Sequence, residues 1–355
     1  MYMRRPRITT VLFVLLLLAL PASPLFLSAH AVAADDFSLQ VTPSPLVTTV
    51  KPGEAKELDL KIRNAALGSE ELKIEPRSFS FDNNSGKVTL RDTTPPDIAQ
   101  WISFSSPTFT VKAGEWYTQK IRINLPKESG FSYSFALVIS RKNNPAPIQG
   151  GRLIKGSVAV FTLVNVDRAG ATRSLAVPKF ITSKGLYEYL PTTLSVQFKN
   201  TGNTIVQPYG NIFIQRGSND KNPISTLPVN ETRGYILPGS VRTLDATWDA
   251  GFPVYKTSTA ADGREQRSLV WNWDHASRFR IGRYTAKLVA VYNDGVRDVP
   301  IQSEVTFWVI PWKSISLLLV VLAALWYIGR LRNKRRTAKA VKKALAAKKE
   351  DRNEN

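Results

Sequence analysis

Cysteine is absent from all 355 residues, and histidine occurs only twice, at His30 and His275. The first absence excludes disulfides, thiolate nucleophiles and thiolate metal ligands. The second leaves a histidine-based triad or a multi-histidine metal site with almost nothing to work with. A Gly-rich phosphate loop is also missing. Long hydrophobic runs are scarce: there are two, one near each end of the chain.

What is present in excess is positive charge, +20 in all. Its distribution argues against a nucleic-acid partner. Arg4, Arg5 and Arg7 precede the first apolar run, and eleven Lys/Arg against three acids follow from Arg330 onward. The rest is spread over nearly 300 residues with no dense block, so most of the basicity has to do with membrane topology.

Residues 1–34 have the parts of a secretory signal peptide. A basic start leads into an apolar run over residues 11–20, broken by Pro21, and Ala29-His30-Ala31 and Ala31-Val32-Ala33 both offer a cleavage site. Ten apolar residues are too few to span a bilayer, which needs about 20. The second run, residues 311–329, predicts one transmembrane helix. From Trp312 to Ile328 it is about 25 Å long at about 1.5 Å per residue, the low end of a spanning length. Lys313 would snorkel outward, while Trp312 at one end and Trp326 with Tyr327 at the other suit an aromatic belt. Arg330, Arg332 and the basic residues beyond them place the tail, residues 330–355, inside. The expected location is the cell membrane, single-pass type I, with the tail cytoplasmic and the rest extracellular. Within the tail, Ala338, Val341 and Leu345 recur at helical spacing between lysines. Such a segment is either a solvated stop-transfer tail or a basic helix on anionic lipid, where each lysine adds about 1 kcal/mol of attraction.

Between the two runs the pattern is period two. Leu58, Leu60 and Ile62 alternate with charged neighbours, as do Ile121 and Ile123, while residues 135–139 and 158–164 are nearly continuous apolar runs suited to central strands. Lys51-Pro52-Gly53, Lys112-Ala113-Gly114 and Leu237-Pro238-Gly239 each precede such a strand, and their glycines predict tight turns. The alternation lapses at Asp167-Arg168-Ala169-Gly170-Ala171. The expected fold is therefore all-β: two tandem Ig-like β-sandwich domains, residues 35–167 and 168–310.

Particular motifs sharpen this. Phe37-Ser38-Leu39-Gln40-Val41-Thr42-Pro43, the Lys-Pro-Gly turn, Phe81-Asp82-Asn83-Asn84-Ser85-Gly86-Lys87-Val88 and Ile123-Asn124-Leu125-Pro126 resemble the N-terminal domain of WxL-interacting surface proteins of Gram-positive bacteria. Val196-Gln197-Phe198-Lys199-Asn200-Thr201-Gly202-Asn203, Pro208-Tyr209-Gly210, Leu237-Pro238-Gly239-Ser240, Trp248 and Gly282-Arg283-Tyr284 are similar to their C-terminal domain. The order of signal, two sandwiches, one helix and basic tail also matches. A bacterial source is consistent with sandwiches that hold together without disulfides. The resemblance implies a first domain associated with peptidoglycan and a second with WxL-domain partners. The chain departs from the pattern between Phe252 and Arg280, where a polar insertion carries Trp271-Asn272-Trp273.

Chemistry has few candidates. Asp274 could orient His275, but a loop histidine is the simpler reading. Glu70, Glu71, Asp97 and Glu128 could serve paired-carboxylate hydrolysis only if the fold brought two of them about 5 to 9 Å apart. Asp82-Asn83-Asn84-Ser85-Gly86 lacks the alternating acids and distal Glu of a Ca²⁺ loop and reads as a hairpin turn. Leu190-Pro191-Thr192-Thr193 lacks the final Gly of a sortase signal. No catalytic, cofactor or metal site is expected. The insertion is the candidate partner surface: Trp271 and Trp273, two apart on an extended strand, share a face, with Tyr255, Arg278 and Arg280 nearby. Exposed, they would form a hot spot; buried, they are core. The function expected is non-enzymatic, a membrane-anchored cell-surface protein that binds or scaffolds an envelope protein. A peptidoglycan-binding or polysaccharide-binding tether is the alternative, and an envelope hydrolase the remote third.

Overall fold

A computed structural model describes residues 37–82, 87–144, 147–153, 156–217, 222–259 and 263–353. The expected signal peptide and most of the Asp82–Gly86 loop lie outside the described residues. Among the described residues the chain is all-β apart from a short helix, Pro96–Trp101, a 3-10 segment and a long C-terminal helix, Trp312–Asn353. It folds as two Ig-like β-sandwiches.

In the first sandwich a four-stranded sheet, ordered Leu39–Thr42, Ala55–Asn64, Trp116–Asn124, Ile102–Phe104, faces a five-stranded one. The latter runs Leu46–Val50, Ser157–Val166, Ser132–Arg141, Glu70–Arg77, Thr108–Val111. The alternation at Leu60, Ile62, Ile121 and Ile123 sends all four side chains inward, none more than 2% exposed. Burying each contributes about 1.5–3 kcal/mol. The continuous apolar runs become Ser132–Arg141 and Ser157–Val166, adjacent inner strands of the larger sheet, which need apolar residues on both faces.

The second sandwich pairs a three-stranded sheet, Leu175–Thr182, Thr192–Asn200, Val241–Trp248, with a five-stranded sheet. This runs Leu186–Tyr187, Asp298–Val309, Gly282–Asn293, Tyr209–Arg216, Ser225–Val229. Its core centres on Trp248, packed edge-on to Tyr284 and Phe307.

One device recurs in both sandwiches. Fully buried Asn64, ending its strand, donates from Nδ2 to Gly68 O (2.7 Å) and Val111 O (2.9 Å) and accepts from the Ala66 N–H (3.0 Å). Asn200 repeats this with Thr204 O (2.7 Å), Ile236 O (2.9 Å) and the Gly202 N–H (2.9 Å). Each also accepts at its own carbonyl from a turn glycine, Gly114 or Gly239. Those glycines, and Gly53, have φ between 71° and 77°, which the third position of a type II turn requires. The two sandwiches are thus built on one plan.

At the tip of the Gly282–Asn293/Asp298–Val309 hairpin, Asp294 accepts from the N–H groups of Arg297 and Val296, both at 2.8 Å. These bonds hold its carboxyl below the usual carboxylate range. A carboxylate with a depressed folded pKa stabilises the fold above its unfolded pKa, and the contribution is lost as pH falls through the folded value. Melting curves of the parent and Asp294→Ala should therefore differ near neutrality and converge as pH drops below 3.8. Curves that stay equally separated in acid would refute this.

Candidate functional site

Two places stand out, one between the sandwiches and one at the end of the second sandwich from which the helix leaves.

The sandwiches touch through the Ile205 N–H, bonded to Asn165 Oδ1 (3.1 Å), and the Ser132 hydroxyl, bonded to Asn203 O (3.1 Å). Beside this contact lies a cavity of about 230 Å³. Phe79, Phe81 and Phe161 from the first sandwich and Tyr235 from the second form its apolar walls, and Arg233 and Arg242 bring charge. No carboxylate lines it among the described residues. Arg242 is half-buried and donates from Nη1 to Tyr235 O (3.2 Å), but it makes no ion pair among the described residues. Partial burial lowers its pKa. Gly234 makes room for it, since a Cβ there would overlap the guanidinium. Arg233 stacks over Tyr209 at 4.3 Å and has φ of 50°, a left-handed conformation uncommon for a residue with a side chain. Backbone held this way often marks a working site.

At the helix end, the insertion folds into a hairpin, Val254–Thr259 paired with Glu265–Val270, followed by the 3-10 segment Trp273–Arg278. Trp271 and Trp273 are therefore not on one extended strand. The turn of the chain still brings them together, with centroids 5.9 Å apart and planes 23° apart, against the buried Phe252 ring. Both are exposed, at 51% and 71%, so they are not core. His275 is bonded to Asn272 (2.8 Å) instead of Asp274. Arg278 is exposed, whereas Arg280 is held inward by Ala250 O (3.0 Å), its guanidinium 5.9 Å from the Trp248 ring.

Tyr255 turns away from the tryptophans to the junction with the helix. Its hydroxyl donates to Glu188 Oε2 (2.9 Å), and the same oxygen pairs with Lys313 (2.9 Å). Burial, then the Glu188 bond, raises the Tyr255 pKa, so the phenol stays a donor. Arg267 stacks over Tyr255 at 4.2 Å, and the Tyr189 hydroxyl meets Ser314 Oγ at 2.7 Å. Lys313, expected to snorkel outward, is bound to the sandwich through Glu188. Trp312 is exposed, Trp326 lies under the Arg330 guanidinium (5.5 Å), and Tyr327 and Arg332 are exposed farther along. From Trp312 the helix is long and apolar enough to cross a membrane. It does not stop at residue 329, and the expected tail continues the same helix to Asn353.

The acids considered for hydrolysis have other roles in the structure. Glu70 grips Arg141 through two bonds (2.8 and 2.7 Å), Glu71 pairs with Lys142 (3.4 Å), and Asp97 sits in the first turn of the short helix. Among the described residues no three His, Asp or Glu gather where they could hold a metal. Sequence reasoning missed Arg242 and its cavity.

No protein-family profile matches the chain, and no curated protein does. Among solved structures it is similar to the CsuC-CsuE chaperone–tip adhesion subunit complex from Csu pili of Acinetobacter baumannii: 13% identity over 75% of this chain and 97% of that one, TM-score 0.36. The CupB2 chaperone of Pseudomonas aeruginosa shares 13% identity over 65% and 98%, TM-score 0.31. A Porphyromonas gingivalis protein of unknown function shares 13% over 75% and 99%, TM-score 0.27.

Proposed function

We propose that this chain is a membrane-tethered, non-enzymatic binding protein that holds an envelope protein at the cavity between its two sandwiches. The observation that carries this is Arg242, half-buried beside aromatic walls and with no ion pair among the described residues. A half-buried cation with no countercharge among its neighbours favours an anion that arrives with its own apolar surface. Drug-sized ligands occupy about 300–1,000 Å³, and this hollow is smaller, so it suits a protruding acidic side chain with apolar neighbours on a partner protein. The resemblance to WxL-interacting proteins supports a protein partner, and the apolar helix supports the tether.

The test uses the purified full chain in detergent, exposed to wall material with and without its protein. Capture of a protein component is expected. Arg242→Met, which keeps the packing and removes the charge, should weaken capture by about 2 kcal/mol or more, roughly 30-fold. Equal retention on protein-free wall polysaccharide, unaffected by Arg242→Met, would overturn the reading in favour of a polysaccharide tether.

A further inference from the structure

The geometry points to the helix end of the second sandwich as a lipid-facing platform that rests on the phospholipid headgroups of the membrane entered by its own helix. This rests on the tether proposed above.

The tryptophans carry the argument. Of eight, Trp248 is buried, Trp101 is half-buried, Trp116 lies in the first sandwich, and Trp326 is at the far side of the apolar stretch. The other four, Trp271, Trp273, Trp308 and Trp312, are 51%, 71%, 47% and 51% exposed, and all belong to this one end. Their placement follows from the pairing. Val309 pairs with Gly282, so Trp308 and the start of that partner strand lie three or four residues from the helix. Phe279, 48% exposed, forms a β-bridge with Phe252, whose ring meets Trp271 edge-on and Trp273 at a tilt. Val270, just before Trp271, pairs with Val254, and the next residue, Tyr255, reaches Lys313 through Glu188. Leu186, 48% exposed, pairs with Trp308.

Indoles have an apolar body and a polar N–H, and they concentrate where hydrocarbon meets headgroup. Four exposed at one end, continuous with an apolar helix, are arranged as an interfacial belt is. The charges agree: exposed Lys184, Lys256, Arg264, Arg267 and Arg278 outnumber exposed Asp249, Glu265 and Asp274 there, which suits anionic phosphate groups. The hairpin that presents part of this surface is exposed along most of its length, so its purpose lies outside the fold. A protein bound at this end would have to fit between the sandwich and the bilayer.

The cysteine-free chain permits a direct test. Single cysteines are placed by Trp273→Cys, by Val296→Cys at the opposite tip of the sandwich, and by Leu319→Cys within the helix. Each carries an environment-sensitive fluorophore in the full chain reconstituted into anionic phospholipid vesicles. The label at 273 is expected about 5–10 Å into the headgroup and acyl boundary, quenched by lipid-borne nitroxide and shielded from aqueous iodide. The label at 296 should behave oppositely. Phe279→Cys repeats the measurement at a second position, so that local misfolding at 273 cannot decide it. Labels at 273 and 279 as open to iodide as that at 296, with the 319 label dry, would overturn this inference alone. A 319 label open to iodide would overturn the tether as well.

Discussion

Val320→Asp combined with Ala323→Asp should move the chain from carbonate-washed membranes into the soluble fraction. Both positions lie near the middle of the apolar stretch and three residues apart, so both charges fall on one helix face. Each aspartate at the centre of a spanning helix costs about 2.5–3.5 kcal/mol, so the pair costs about 5–7 kcal/mol, a shift of roughly 10⁴ or more. Lys313 and Ser314 retain their bonds to Glu188 and Tyr189, so the sandwiches should keep their fold in solution. A parent chain that carbonate strips from membranes, or a double variant that stays in the pellet, would refute the tether.

Trp248→Ala should be the most damaging single change to the second sandwich. Its ring is fully buried, 5.2 Å from Tyr284 and 5.9 Å from Phe307, and it bridges the two sheets at the centre of that core. Truncating a buried tryptophan costs about 3–5 kcal/mol, a large share of the roughly 5–15 kcal/mol that holds a domain folded. The first sandwich has its own core, so calorimetry should show one transition falling sharply while the other stays nearly in place. Trp248→Phe should cost much less. The indole N–H finds no acceptor among the described residues, so losing it removes an unmet donor and no hydrogen bond. Two transitions that move together, or a fall equal to that of Trp248→Phe, would show that the ring is not the keystone of a separate core.

The strands were legible wherever one face met the core. Leu60, Ile62, Ile121 and Ile123 announce their sheet because burial on one side forces period two. The glycine turns were legible because their backbone angle excludes most other residues. The insertion was less so: its hairpin buries little on either face and carries no alternation, and the stacking of Trp271 on Trp273 depends on a 3-10 turn that their spacing does not reveal. Arg242 was illegible for another reason. Within its own strand it shares the core-side parity of Leu244, Ala246 and Trp248, but the hollow it lies in is completed by aromatic residues of the other sandwich, about 80 to 160 positions earlier in the chain. The helix was read as ending near Arg330 because hydropathy changes there. Helix propensity does not change, since Ala, Lys and Arg all favour continuing.

That continuity has a mechanical meaning. A helix of 42 residues is about 63 Å long at about 1.5 Å per residue. A hydrocarbon layer of about 30 Å takes up about 20 of those residues, which leaves a rod of comparable length beyond it. At its head the rod is joined to the sandwich by the Lys313–Glu188 ion pair and the Ser314–Tyr189 hydrogen bond, and just before it the Ile310 N–H is bonded to Tyr187 O. With the apolar half in a bilayer, as proposed, the chain is a lever with the membrane as its fulcrum: a pull on whatever the sandwiches hold becomes a torque, and the basic far end swings in reply.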